Sequence, residues 1–189
     1  RRVSWVGTSL GGLIGIALAG MQHSPIDRLV LNDVGPSLDS RGLMRIASYV
    51  GRPMSFDTPE QAADSLREIS QGFGPHTPEQ WMALTRPMLR PDGDGWRLHY
   101  DPALSQPFSA ATAQAVAAGE IALWQAYDQI AAPTLVVGGA DSDILNVQTA
   151  LAMAQRGPRA RLVELAGVGH APTLVQPDQV GIVRDFLLS

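Results

Sequence analysis

The chain has 189 residues, 45% of them hydrophobic and 17% charged, and a formal net charge of −4. Such a chain can bury one globular core and carry an inserted subdomain, and its acidic balance, with no basic cluster longer than Arg1-Arg2, argues against nucleic acid or an anionic membrane as partner. The absence of cysteine excludes disulfides, thiolate metal sites and a cysteine nucleophile, and fits a reducing compartment, so a small-molecule ligand and a cytoplasmic location are the default expectations.

Arg1-Arg2 followed by a mostly apolar run to Met21 has the outline of a signal peptide or a membrane span, but Thr8, Ser9 and several glycines interrupt the run. A strand over residues 3–6, a sharp turn and a buried helix over 13–21 explain more. The turn is Gly7-Thr8-Ser9-Leu10-Gly11, a G-x-S-x-G pattern between a strand and a helix. Glycines two before and two after the serine let strand and helix approach closely, and the turn lifts the Ser9 hydroxyl to a helix N-terminus that favours negative charge. His23-Ser24-Pro25 stops the helix, with His23 expected as its C-cap. A second apolar strand over 26–34, ended by Gly35-Pro36, completes a β-α-β unit of an open parallel sheet.

From Ser37 to Tyr127 the pattern is helical and more polar. Thr58-Pro59-Glu60-Gln61 and Thr77-Pro78-Glu79-Gln80 are matching helix starts, with Thr as N-cap, Pro at the first position and Gln able to bond back. Ala62, Leu66 and Ile69, and then Trp81, Leu84 and Met88, give each helix an apolar stripe suited to packing; residues 72–75 and 90–95 read as turns. Sheet character returns at 134–137, then a helix at 147–156, a fourth strand at 161–165, and a terminal helix over 178–188 with Val180, Val183 and Leu187 on one face. The expected organisation is a sheet core at 1–36, a helical cap at 37–127 and the core again at 128–189.

A serine hydroxyl needs a base to take its proton, and the base needs a carboxylate to orient it, in the chain order Ser, Asp, His for this kind of turn. His170, in Gly167-Val168-Gly169-His170-Ala171-Pro172 just past the last strand, is the best placed of the four histidines; His76 and His99 fall in the insert. For the acid, Asp143 after the third strand is the first choice, with Asp33 after the second strand and Asp141 as alternatives, because any of these strand ends can hold an imidazole. The backbone N–H of Leu10 is the expected oxyanion donor.

These four segments together, Trp5 to Gly12, Leu29 to Pro36, Gly139 to Leu145 and Gly167 to Pro172, resemble the elbow, cap start, acid loop and histidine loop of the α/β-hydrolase superfamily. The resemblance implies the α/β-hydrolase fold, with a mostly parallel sheet and an inserted helical cap. It implies catalytic Ser9, Asp143 and His170, and no cofactor or metal. It also implies that the strands present are the fifth to eighth of eight. Strands one to four and the loop that supplies a second oxyanion donor are then missing, so the expectation is a piece of a longer enzyme, weakly active alone and prone to associate, with a homo-oligomer one outcome. Loss of one oxyanion donor costs about 10²–10³ in rate.

The expected reaction is hydrolysis of an ester, thioester or lactone through an acyl-Ser9 intermediate. The cap aromatics (among them Tyr49, Phe73, Trp81 and Trp124) suit a small to medium, largely apolar substrate. C–C bond hydrolysis of a ring-cleavage diketone and acyl transfer use the same residues, whereas Asp-nucleophile chemistries are disfavoured by Ser9. The non-enzymatic alternative is an impaired or purely ligand-binding module.

Overall fold

The structure, a computed structural model, describes residues 2–110 and 112–189; Arg1, where the first expected segment begins, and Ala111 lie outside it. The chain opens with β1 (Val3–Thr8), α1 (Leu10–Ala19) and β2 (Ile26–Asn32). The insert carries α2 (Ser40–Ala47), β3 (Ser55–Phe56), α3 (Pro59–Ile69), α4 (Pro78–Thr85), β4 (Leu89–Asp92), β5 (Gly95–Leu98), α5 (Gln106–Ala110) and α6 (Ala113–Asp128). It is followed by β6 (Thr134–Gly139), α7 (Val147–Gln155), β7 (Arg161–Leu165) and α8 (Pro177–Leu188).

Four strands form one sheet in the order β1-β2-β6-β7, and every pair is parallel. The unbroken run Leu29-Val30-Leu31 is explained by burial on both faces of this sheet. Leu29, Leu31 and Val136 join Ile16 of α1, Tyr127 of α6 and Met153 of α7 in one core, while Val30, Leu135 and Val137 join Val183 and Phe186 of α8 in the other. Because side chains alternate along a strand, adjacent residues of one strand serve different helix layers. On α8 the inward face is Gln179, Val183 and Phe186. Val180, expected inside, is 45% exposed, because the helical period places it away from that face.

Two further expectations change in detail. Helix α1 ends at Ala19 with Gly20 as C-cap, and His23 sits beyond it in an exposed turn at φ 61°. The insert is not wholly helical: residues 90–95, expected as a turn, belong to the antiparallel hairpin of β4 and β5, which β3 extends into a three-stranded sheet. Gly93, at φ 61°, makes the tight reversal that keeps Pro91 opposite Trp96 and Asp92 opposite Gly95. The helix starts at Thr58 and Thr77 form as expected. Thr77 and Gln80 make a reciprocal capping box, whereas Gln61 reaches past Thr58 to accept from the Asp57 N–H.

The last helix of the insert bridges cap and core. Tyr127 is fully buried in the core beside Ile16, and its hydroxyl donates to the Met153 carbonyl at 2.8 Å. Burial pushes that phenol's pKa above its ordinary value. Among the described residues no helix is long and apolar enough to cross a membrane.

Candidate active site

Ser9 sits between β1 and α1 at φ 50° and ψ −120°, outside the ordinary regions for a residue with a side chain. The tight glycine contacts are not those the sequence pattern suggests. A Cβ on Gly7 would lie 2.3 Å from the Gly11 carbonyl oxygen, and one on Gly12 would lie 2.3 Å from Val34, but one on Gly11 would meet nothing within 4 Å. Close packing of strand on helix therefore requires Gly7 and Gly12; Gly11 contributes only its backbone. The elbow is tied to the sheet because the Ser9 N–H donates to the Asn32 carbonyl at 3.2 Å.

His170, with a side chain only 8% exposed, joins two other strand ends. Its Nε2 lies 3.0 Å from Ser9 Oγ and its Nδ1 2.8 Å from Asp33 Oδ2. A carboxylate only accepts, so Nδ1 carries the hydrogen and Nε2 is free to accept the serine proton. Asp33, at φ 55° immediately after β2, is fully buried. Three donors converge on it: the Gly139 N–H on Oδ1 at 2.8 Å, and Ser142 Oγ at 2.6 Å together with His170 Nδ1 on Oδ2.

Asp143, expected first as the acid, does not meet His170. Arg45 of α2 grips it with Nε at 2.6 Å and Nη2 at 2.8 Å, a bidentate pair about one third exposed on each side. The Arg45 hydrogen bonds hold the Asp143 carboxyl below its ordinary pKa, and Asp143 in turn raises that of Arg45. The two loops follow neighbouring strands, and Asp33 is the carboxylate that meets His170, while Asp143 pairs with the cap. Asp141 bonds through its backbone N–H to the Val168 carbonyl, which secures the histidine loop.

Two site residues, Ser142 and Arg45, escaped the sequence reading, and His76, read only as part of the insert, has specific partners. Ser142 bridges the acid loops, since its Oγ also accepts from the Ile144 and Leu145 N–H groups at 3.1 Å. Arg45 comes from a helix 98 residues away from its partner, and no local signal marks it. His76 of the cap, placed 5.3 Å from Trp81 by ring centroids, bonds Thr173 Oγ1 at 2.7 Å, and the Gly169 N–H donates to the Gly72 carbonyl at 2.6 Å. The cap thus rests directly on the loop that carries His170.

Ser9 and His170 open into a cleft of about 320 Å³ with apolar walls from Ile46, Ile69, Phe73, Leu84 and Pro172. Past Arg45, Tyr49 and His170 it adjoins a second cavity of about 570 Å³ with Ser48, Arg52, Glu68, Gln71 and Asp141 among its lining residues. Among the described residues no cluster of three or more His, Asp or Glu is placed to hold a metal ion.

A parallel sheet presenting Ser, His and Asp from three strand ends beneath an inserted cap defines a class, and residues 1–181 match the alpha/beta hydrolase family: the chain belongs to it. A 3-hydroxybutyrate-oligomer hydrolase of Cupriavidus necator is 49% identical over 190 residues, covering 98% of this chain but 65% of that protein, so the chain spans just under two thirds of the relative's length. An alpha/beta hydrolase of Novosphingobium aromaticivorans superposes with a TM-score of 0.84 at 37% identity, over 99% of this chain and 65% of that one. A hydrolase of Rickettsia typhi, described as putative, gives 0.85 at 27%, over 100% and 62%.

Proposed function

We propose that the chain carries the catalytic residues of a serine ester hydrolase, with Ser9 as nucleophile, His170 as base and then acid, and Asp33 as the carboxylate that orients His170. The observation that carries this reading is the continuous relay of Ser9 Oγ, His170 and Asp33 at 3.0 and 2.8 Å, with the imidazole tautomer fixed by its partner. His170 Nε2 takes the hydroxyl proton as Oγ attacks the ester carbonyl carbon, and Asp33 stabilises the imidazolium without itself taking the proton. The Leu10 N–H, next after the nucleophile at the start of α1, is the oxyanion donor. His170 then protonates the leaving alkoxide, and water, deprotonated by the same nitrogen, releases the acid and restores Ser9.

For the substrate, the two-part cleft and the relative that hydrolyses 3-hydroxybutyrate oligomers support one class: short esters of small hydroxy acids. The apolar part beside Ser9 suits a short aliphatic unit. The second part, with Ser48, Arg52 and Gln71 in its lining, offers donors to further ester carbonyls and to a terminal hydroxyl. Fluorophosphonate labelling with peptide mapping tests the nucleophile: an adduct on Ser9 that disappears in Ser9→Ala is expected, and a folded chain without adduct sinks the assignment. Turnover of hydroxybutyrate dimers and trimers in preference to a ring-cleavage diketone is expected; the reverse order would replace the ester reading with C–C hydrolysis.

A further inference from the structure

Asn32, the last residue of β2, lies between the nucleophile elbow and the histidine loop, and nothing in the mechanism above uses its side chain. It is fully buried. Its Nδ2 donates to Thr8 Oγ1 at 2.9 Å and to the Pro172 carbonyl at 2.7 Å, while its backbone carbonyl accepts the Ser9 N–H. One residue therefore holds the positions just before the nucleophile and two beyond the base, which are distant in sequence and are brought together at the sheet's carboxyl end. The carbonyl of Pro172 can only accept, so the amide nitrogen faces it and the orientation of the carboxamide is fixed.

The rest of the amide is poorly served. Asn32 Oδ1 is buried with no hydrogen-bond partner among the described residues. An unpaired buried acceptor is costly, and an apolar side chain of similar shape would avoid that penalty. The unpaired oxygen offsets part of what the two Nδ2 bonds contribute, so packing alone does not account for an amide at the carboxyl end of a strand otherwise built of Leu29, Val30 and Leu31. What the amide supplies, and leucine cannot, is a fixed separation between two loops whose relative placement sets the Ser9–His170 distance.

We infer that Asn32 is a positioning residue, a clamp that holds Ser9 and His170 in reacting register through Thr8 and Pro172. This rests on the assignment of Ser9 and His170 as the reacting pair. A misplacement of about 1 Å at such a pair costs about 10²-fold in rate. Truncating the clamp therefore slows the chemical step while leaving ligand binding, set by the cap cleft, nearly intact.

The test is Asn32→Leu and Thr8→Val in this chain, assayed with a short-chain nitrophenyl ester and normalised by fluorophosphonate titration of reactive Ser9. For Asn32→Leu, which leaves the buried Pro172 carbonyl without its donor, the expected result is a lowered unfolding midpoint in a protein that still folds, KM within about twofold, and kcat per titrated site lower by about 10–100-fold. Thr8→Val, which removes one of the two side-chain ties, should lose less, about 3–10-fold. An unchanged kcat per titrated site in a folded Asn32→Leu protein overturns the clamp, because a merely structural role lowers the number of active sites and not the rate at each. Should Asn32→Leu fail to fold, Thr8→Val decides on the same criterion. If the parent's Ser9 is itself never labelled, the nucleophile assignment falls separately. The clamp is then read from the downfield His170 Nδ1–H proton resonance, which should shift or broaden in the variants and overturns the proposal if it does not.

Discussion

Asp33 and Asp143 follow neighbouring strands of one sheet, and they live in opposite environments. Asp33 is fully buried, accepts three hydrogen bonds and faces His170; Asp143 is about one third exposed and faces an arginine of the cap. Adjacent parallel strands lie about 4.8 Å apart, so both loops fall within reach of the same imidazole, and neither distance along the chain nor residue type ranks them. Donors rank them. The carboxylate that the core surrounds with N–H and O–H groups is the one that meets His170, and the one left near solvent joins cap to core.

The sharpest way to break this contrast is Asp33→Asn, which offers His170 an amide N–H where it needs an acceptor and so favours the wrong tautomer. We expect kcat/KM to fall by about 10³–10⁴ with the fold retained. An effect below tenfold would return the acid role to another carboxylate. Next in size is Ser142→Ala, which removes one charged hydrogen bond from Asp33, about 1.5 kcal/mol, and should slow turnover about tenfold with little change in KM. Asp143→Asn should leave kcat/KM within about twofold, and a loss comparable to that of Asp33→Asn would overturn the assignment made here. Its effect belongs to stability: the pair is partly solvent-screened, so about 1 kcal/mol or less is at stake.

The same variant also has a pH signature. Arg45 holds the folded-state pKa of Asp143 below its unfolded value, so the pair stabilises the fold above the ordinary carboxylate range. That contribution is lost as pH falls through the folded-state value. Thermal melts of parent and Asp143→Asn should therefore differ at neutral pH and converge in strong acid. A gap that widens on acidification would contradict the pairing.

Much of this architecture is legible in the residues. The β-α-β start, the elbow at Ser9, the histidine loop and both threonine-capped cap helices follow from local chemistry: glycine at a close approach, short unbroken apolar runs in strands, and threonine N-caps followed by proline. What local chemistry could not rank is the set of long-range choices. Arg45 claims Asp143 from a separate helix, and Ser142 turns toward Asp33 only because β2 and β6 are neighbours. The glycine contacts teach the same lesson at short range, since Gly12 presses on Val34, a residue of another loop, while the motif's own Gly11 has open space beside it.

The relay closes across 161 residues between Ser9 and His170 and 137 between Asp33 and His170. Contacts of such sequence separation form late, because the entropy of closing long loops must be met before the parallel sheet rewards it. No early hairpin or isolated helix of this chain can hold even two members of the triad. On the proposed assignment, reactivity at Ser9 depends on the β1-β2-β6-β7 order, and its first appearance during refolding marks the moment when these strands have paired.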